Sequence, residues 1–445
     1  MYQLIVRAKK DSDALKAMAR VFYPDWNLRL STLKGARGIN EVRKNLEDIV
    51  DELLYNIILV GREDAKFLVL EDEFPENVVF FMVDKKRIRN ARIITLSRCF
   101  ERARAIIRNS AQWQENAYVF SHKDAPFVKY SIPAYDLFLG LGEGYERMLE
   151  ILLGTGYKCT LFVRGFGGTH ETYCGPSLVA KIKIPDTGKV KVLSKEEAEC
   201  LEIKEEDLVS SNRDIVQMHE RISMNFLKHS VQDVDHIVVP WSGGRDSTTA
   251  LILSLKAFGS KHVTAVYVDT GVDFPSNIEY VKKVAARLGV RVEYAYAPIK
   301  ESLPEKGLPT HNNRWCTILK VNALHEKIFE IYPEGKIALV VGDRDAESRP
   351  RSMRPPIRWE GRLKILSPLK NWSTALAQLY LLFNEIPLNP LYLKGFYRLG
   401  CYICPALRSW EVKLLKIFLM DDLQALPYFK EFMRSREALE GENRG

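Results

Sequence analysis

The residues best equipped for chemistry lie in the second half of the chain, at Ser242-Gly243-Gly244-Arg245-Asp246-Ser247. Paired glycines let a backbone come close to a bulky anion, two serines add hydroxyls, and a helix-like run from Thr248 to Phe258 would aim its free N–H groups and positive dipole end at that anion. The chemistry implied is a nest for phosphate or sulfate. Arg245 can add charge, whereas Asp246 would repel an anion unless it caps the helix or holds Mg²⁺ between itself and the phosphates. Further along, Arg344, Arg349, Arg351, Arg354, Arg358 and Arg362 crowd one stretch, and the guanidinium fork matches phosphate geometry. Of seven cysteines, Cys99, Cys159, Cys174 and Cys200 are scattered singly, unlike a secreted disulfide framework, while Cys316, Cys401 and Cys404 stand apart.

These groups need a scaffold, and the surrounding pattern supplies one. The apolar run HIVVPW reads as a strand ending at the glycine turn. A second strand, His262 to Val268, ends in Asp269-Thr270-Gly271; Pro275 opens a helix to Leu288, and a third strand follows at Arg291 to Tyr296. This β-α-β order puts polar groups at the carboxyl ends of strands, where open parallel sheets hold ligands. The expected division is a mixed α/β domain at 1–117, a small β-rich accessory domain at 118–195, a helical connector at 196–234, a nucleotide domain at 235–410 and a helical tail at 411–445. In the first domain, apolar runs at Leu4–Val6, Asn56–Val60, Phe67–Leu70 and Val78–Val83 alternate with helical patterns. In the second, a hairpin is expected around Asp186-Thr187-Gly188.

With 445 residues the chain exceeds one ordinary core, and 46% hydrophobic with 27% charged residues excludes disorder and collagen-like repeats. No stretch approaches the ~18 apolar residues of a membrane span, so no membrane partner and a cytoplasmic location are expected. The net charge is +8. A basic stretch, Lys85 to Arg108, could grip phosphates of a tRNA or other RNA.

At this point the residues resemble the phosphoadenosine phosphosulfate (PAPS) reductase family of the PP-loop ATP pyrophosphatase superfamily. Ser242 to Ser247 is similar to the family's SGGxDS loop, and Val268-Asp269-Thr270-Gly271 with Phe274-Pro275 to its V-D-T-G-x-x-F-P strand end. Arg314-Trp315-Cys316-Thr317 with Leu319-Lys320-Val321 occupies its C-C-x-x-x-K-V position, and Gly342 to Arg349 its G-x-R-x-x-x-S-R segment. Asn389-Pro390-Leu391-Tyr392 through Gly395-Phe396-Tyr397 to Gly400-Cys401-Tyr402-Ile403-Cys404-Pro405 resembles its closing block. The resemblance implies an α/β, doubly wound, mainly parallel sheet binding an adenine nucleotide, ATP or PAPS, with Mg²⁺. It makes Ser242, Gly243, Gly244, Arg245, Asp246 and Ser247 the phosphate cradle, Asp269 a ribose or adenine contact, and Arg344, Ser348 and Arg349 anion clamps.

The chain also departs from that pattern. Thioredoxin-dependent reductases of the family end in a tail cysteine, and none follows Cys404 here. Trp315 stands where cluster-bearing relatives have the first of an adjacent cysteine pair. Cys316, Cys401 and Cys404 remain in the ligand positions, and three readings stay open: a [4Fe-4S] cluster with one open iron, as in some tRNA-thiolating PP-loop enzymes; Zn²⁺ with a further ligand such as His311 or His325; or a redox or persulfide-carrying pair at Cys401 and Cys404. Asp246, Ser247, Cys316, Cys401 and Cys404 are the expected catalytic residues. The expected activity is adenylation of an acceptor for sulfur transfer, with a tRNA acceptor and a sulfur donor protein as partners. Reduction of PAPS or adenylyl sulfate to sulfite is the alternative, and RNA or nucleotide binding without turnover a third.

Overall fold

The computed structural model describes residues 1–198 and 203–442; Cys200, expected as an isolated thiol, lies outside the described residues. The first sheet contains β1 (Tyr2–Val6), β2 (Arg29–Thr32), β3 (Tyr55–Gly61) and β4 (Val78–Val83) in the order β2-β1-β3-β4, all pairs parallel. β1 and β3 are buried along their whole length, as unbroken apolar runs require when helices cover both faces. α1 (Lys9–Phe22) and α3 (Ile93–Arg108) pack on one face through Leu15, Met18, Leu96 and Phe100, and α2 (Ile39–Ile49) on the other through Val42 and Leu46. Phe67–Leu70 is not a strand but part of a 3₁₀ stretch, Arg62–Glu73. Phe67 and Leu70 are buried while Val69 is exposed, a period of three in place of the two a strand needs.

The second region begins with a small sheet, β5 (Ser110–Gln114), β6 (Ala117–Val119) and β7 (Val128–Lys129), so the expected boundary at 117/118 falls inside β6. It continues with β8 (Asp136–Gly140), α4 (Glu143–Leu153), β9 (Thr160–Arg164), β10 (Thr169–Cys174), β11 (Ser177–Lys183) and β12 (Lys191–Lys195), an antiparallel sheet in the order β12-β11-β10-β9-β8. β11 and β12 form the expected hairpin. Cys174 is disulfide-bonded, which corrects the expectation of reduced single thiols, and Cys99 and Cys159 are free. The connector carries α5 (Glu205–Ser211) and α6 (Arg213–Ser230).

The third region is the α/β domain expected for the nucleotide. β13 (His236–Pro240), α7 (Arg245–Phe258), β14 (Val263–Asp269), α8 (Pro275–Leu288) and β15 (Arg291–Tyr296) wind one way. After α9 (Ile299–Lys306) and α10 (Trp315–Ile331), β16 (Ile337–Val340), α11 (Arg349–Met353), β17 (Ile357–Glu360), β18 (Leu363–Leu366) and α12 (Thr374–Phe383) wind the other. The strand order is β15-β14-β13-β16-β18-β17, parallel except for β17. Direction reverses between β13 and β16, and the crevice at their carboxyl ends is where such sheets bind ligands. α13 (Pro390–Leu393) and α14 (Ser409–Phe418) close the domain. Among the described residues, no helix is long and apolar enough to cross a membrane.

Salt bridges and hydrogen bonds join the three regions beside that crevice. Arg104 of α3 pairs with Asp345 at 2.6 Å, and Lys370 meets the other oxygen of Asp345 at 2.6 Å. Arg108 donates to the Pro133 carbonyl. These contacts take part of the basic stretch Lys85–Arg108, expected as an RNA grip, into the protein's own frame. Arg104 and Arg108 are buried struts, Arg87 is paired with Glu63 and Arg89 with Asp11, while Lys85, Lys86, Arg92, Arg98 and Arg102 are exposed.

Candidate functional site: a phosphate cleft beside a thiol pair

The loop after β13 has the tight geometry its glycines imply. Gly243 sits at φ +75°, and a Cβ there would lie 2.5 Å from Asn277 Oδ1 and 2.9 Å from Val281. The Asn277 amide donates to the Ser242 carbonyl at 3.2 Å, and the Asn389 amide donates to the Gly243 carbonyl at 3.2 Å and to Asn277 Oδ1 at 2.8 Å. The loop is therefore fixed from behind by α8 and the segment before α13. Ser242 and Ser247 face each other with 3.1 Å between hydroxyl oxygens, and the Ser247 hydroxyl also donates to the Gly244 carbonyl at 3.0 Å. Gly342, after β16, is equally constrained: a Cβ there would stand 2.7 Å from the Asp246 carbonyl carbon. The β16 loop thus lies flush on the start of α7.

A polar cavity of about 590 Å³ opens over this loop, lined among others by Ser242, Gly244, Asp246, Ser247, Asp343 and Ser348. A smaller, mainly apolar cavity of about 260 Å³ lies beside it between Val266, Val268, Val321 and Leu324. The two share Pro240, Ser242 and Leu399. A polar chamber adjoining an apolar one fits a ligand with an anionic end and a planar apolar end.

Several expected anion ligands have other partners. Arg344 is 1% exposed and donates from Nε to Asp246 at 2.9 Å, from Nη1 to Asp136 at 3.0 Å and from Nη2 to Thr374 at 2.7 Å. It is a strut joining β8 to the phosphate loop, with most of its N–H groups already engaged. Burial pushes the Asp136 carboxyl up, but Arg344, Arg164 and Thr374 pull it down to about 2. Asp246 is charge-balanced by Arg344. Arg245 is also buried, donating to the Tyr397 carbonyl at 2.6 Å and lying over the rings of Tyr392 and Tyr397. Ser348 lies on the rim and accepts the Arg351 N–H, capping α11; Arg349 is exposed and outside the lining. Asp269 accepts the Gly271 N–H at 2.8 Å and braces its own turn. Asp273, four residues on, lines the apolar cavity instead.

The thiols stand directly behind the junction of the cavities. Cys401 forms an antiparallel bridge with Asp273, and the Tyr402 N–H donates to Val272, tying the Cys-x-x-Cys turn to the loop after β14. A Cβ on Gly400 would come 3.1 Å from Cys404 Sγ. The Cys401 thiol donates to Cys404. That bond and burial push Cys401 well up, while Cys404 is lowered to about 6 by the same bond, against burial, with help from the Ala406 N–H, Lys320 and Arg314. Burial opposes the charge on Lys320, but Cys401, Asp273, Cys404 and Cys316 together raise it. The group gathered around the three sulfurs is thus an ammonium, one turn from Cys316 on α10.

Metal expectations fare differently from the thiol pair. Among the described residues, no group of three or more His, Cys, Asp or Glu side chains is arranged to hold a metal ion. The cleft carboxylates Asp246 and Asp343 are tied to arginines, and Lys320 lies among the sulfurs. His311 is exposed, and His325 packs near Phe329. Trp315 is buried in the core, with its indole N–H unpaired.

Arg314, Lys320 and Asn389 fall within the motifs quoted above but were given no role there, and Asp273, Asn277 and Arg398 were not singled out. The spacing of four between Cys316 and Lys320 on one helix was a signal for Lys320; Asn277 gave none, because it acts through loop backbone.

The phosphoadenosine phosphosulfate reductase domain matches residues 236–407. An uncharacterized protein of Methanocaldococcus jannaschii is 33% identical over 215 residues, 47% of this chain, which spans 44% of that relative's length. An adenosine 5'-phosphosulfate reductase of Chelativorans sp. is 28% identical over 39% of this chain and 70% of its own. A crystal structure of phosphoadenylyl-sulfate reductase from Candida auris, in complex with phosphate, covers 43% of this chain and 97% of that one at 19% identity, with a TM-score of 0.34. Residues 236–407, which hold the parallel sheet and the glycine loop, are thus similar to the PAPS reductase domain.

Proposed function

We propose that this protein is an adenine-nucleotide-dependent enzyme of sulfur chemistry, which activates an acceptor by adenylation and passes it sulfur at Cys404. The observation that carries this reading is the meeting of the polar and apolar cavities at Pro240, Ser242 and Leu399, with the Cys401–Cys404 pair immediately behind. ATP would place its phosphates on the backbone N–H groups and hydroxyls of Ser242–Ser247 and its base in the apolar chamber. An acceptor oxygen attacks the α-phosphorus, pyrophosphate leaves, and the acceptor carries AMP. A persulfide on Cys404, charged by a sulfur donor protein, then displaces AMP through its outer sulfur. Cys401 attacks Cys404 Sγ, forming the disulfide and releasing the sulfur on the acceptor; an external dithiol restores both thiols. A tRNA base is one acceptor of this kind.

The asymmetry of the thiols supports a second reading, as does the name of the Chelativorans relative. Here Cys404 attacks the sulfur of adenylyl sulfate or PAPS, expels the nucleotide, and is resolved by Cys401 with release of sulfite. Product analysis separates the two. Incubation with ATP and candidate acceptors should yield AMP and pyrophosphate, while incubation with adenylyl sulfate, PAPS and thioredoxin should leave no sulfite; sulfite without pyrophosphate reverses the order. Binding of RNA without turnover is least supported, because Arg87, Arg89, Arg104 and Arg108 of the stretch expected to hold it are taken up internally.

A further inference from the structure

The arginines of the phosphate cleft divide into two kinds. Arg164, Arg245, Arg344 and Arg351 line it but are engaged: Arg164 with the Ala346 carbonyl, Arg245 with the Tyr397 carbonyl, Arg344 with Asp246 and Asp136, Arg351 with Asp343 and Glu347. Arg314 and Arg398 line the same cavity, and among the described residues neither side chain has a hydrogen-bond or ion-pair partner. Both flank the thiols. Arg314 is two residues before Cys316 and close enough to Cys404 to bias it towards the thiolate; Arg398 is three residues before Cys401.

Resting on the nucleotide site proposed above, we propose that Arg314 and Arg398 form a second oxyanion site, separate from the Ser242–Ser247 nest, which holds a tetrahedral sulfur or phosphorus oxyanion of the second substrate against Cys404. A thiolate and an anionic substrate repel each other at short range, and that repulsion must be offset by cations that serve both. Arg314 touches both sides of the problem: it lines the cleft and acts on Cys404. The guanidinium fork suits a tetrahedral oxyanion, and neither side chain loses an internal bond by being committed to a ligand. The nest, by contrast, works through backbone N–H groups and hydroxyls. The two sites therefore differ in chemistry as well as position.

Calorimetric titration of the full chain with thiosulfate and with inorganic phosphate, each with and without saturating ATP, tests this. In wild-type protein at least one probe should bind while ATP is bound, and the stronger probe identifies the source of the oxyanion. The Arg314→Gln/Arg398→Gln double variant should lose at least tenfold in that affinity and keep its ATP affinity within twofold, while the corresponding double Lys variant keeps part of the probe affinity. Failure of both probes to bind wild-type protein in the presence of ATP, equal binding by the double Gln variant, or a parallel loss of ATP affinity would each overturn the assignment, the last by giving the pair to the nucleotide. If ATP itself does not bind, the adenylation reading falls, and the ATP-free titrations still decide whether the arginine pair is an anion site.

Discussion

Cys404 and Cys401 are chemically unequal although only two residues separate them. Cys404 is stabilised as a thiolate, lowered to about 6, while Cys401 keeps its proton and donates it. Alkylation of Cys404 by iodoacetamide, followed by peptide mass analysis across pH, should therefore be half-maximal near pH 6, well below the ~8.5 of an ordinary thiol. Cys401→Ala removes the largest stabilising bond and should move that midpoint upward; an unchanged midpoint would mean that Lys320 and Arg314 suffice. Asp136 gives a second expectation. Its folded pKa is depressed to about 2, below the ~3.9 of an unfolded aspartate, so its contribution is fully present above that value and is lost as pH falls towards 2. Asp136→Ala would leave Arg344 buried with one of its two carboxylate partners and should cost ~3–5 kcal/mol of stability in denaturant unfolding. The sequence pointed to Arg344 but not to what it does, because an arginine that binds phosphate and one that binds two aspartates are the same letter. Only the fold brings Asp136, more than two hundred residues away in the chain, to its side.

At the scale of elements, legibility followed local physics. The strand from Arg291 to Tyr296 and the helix from Pro275 to Leu288 were readable to the residue, since each is bounded by its own glycine or proline signals. The 3₁₀ stretch around Phe67 was not, because four apolar residues in a row carry no period until their burial is seen. The glycine turn was legible as a tight strand-to-helix loop; the wall beside it was not, since Gly342 matters only through its approach to Asp246. Gly342→Ala should push the β16 loop off the start of α7 and weaken ATP binding by at least tenfold in calorimetry, with the two neighbouring sheets intact by circular dichroism. Gly243→Ala faces both a positive φ and Asn277, and should be the more damaging of the two.

For the whole molecule, three successive residues each tie the cleft wall to another region. Arg344 is held by Asp136 from the antiparallel sheet, Asp345 by Arg104 from the first domain, and Ala346 by Arg164, all on the segment that walls the phosphate cleft. The first 230 residues are thus part of the site's frame whatever else they recognise. A fragment beginning at residue 231 should bind ATP at least tenfold more weakly than the full chain, because Asp345 and Arg344 would face solvent gaps where their partners stood. Arg104→Ala, far from the nucleotide, should produce a smaller loss of the same kind, since it strips Asp345 of one of two buried counter-charges.

The three-way anchorage of Arg344–Ala346 also bears on how the protein melts. A nucleotide that rests on this wall can grip it only while every neighbouring region is in place, so its binding energy is shared by all of them. Heating the saturated protein should accordingly give one calorimetric peak, displaced upward as a unit, with the remote first sheet surviving to the same higher temperature as the strands that touch the ligand.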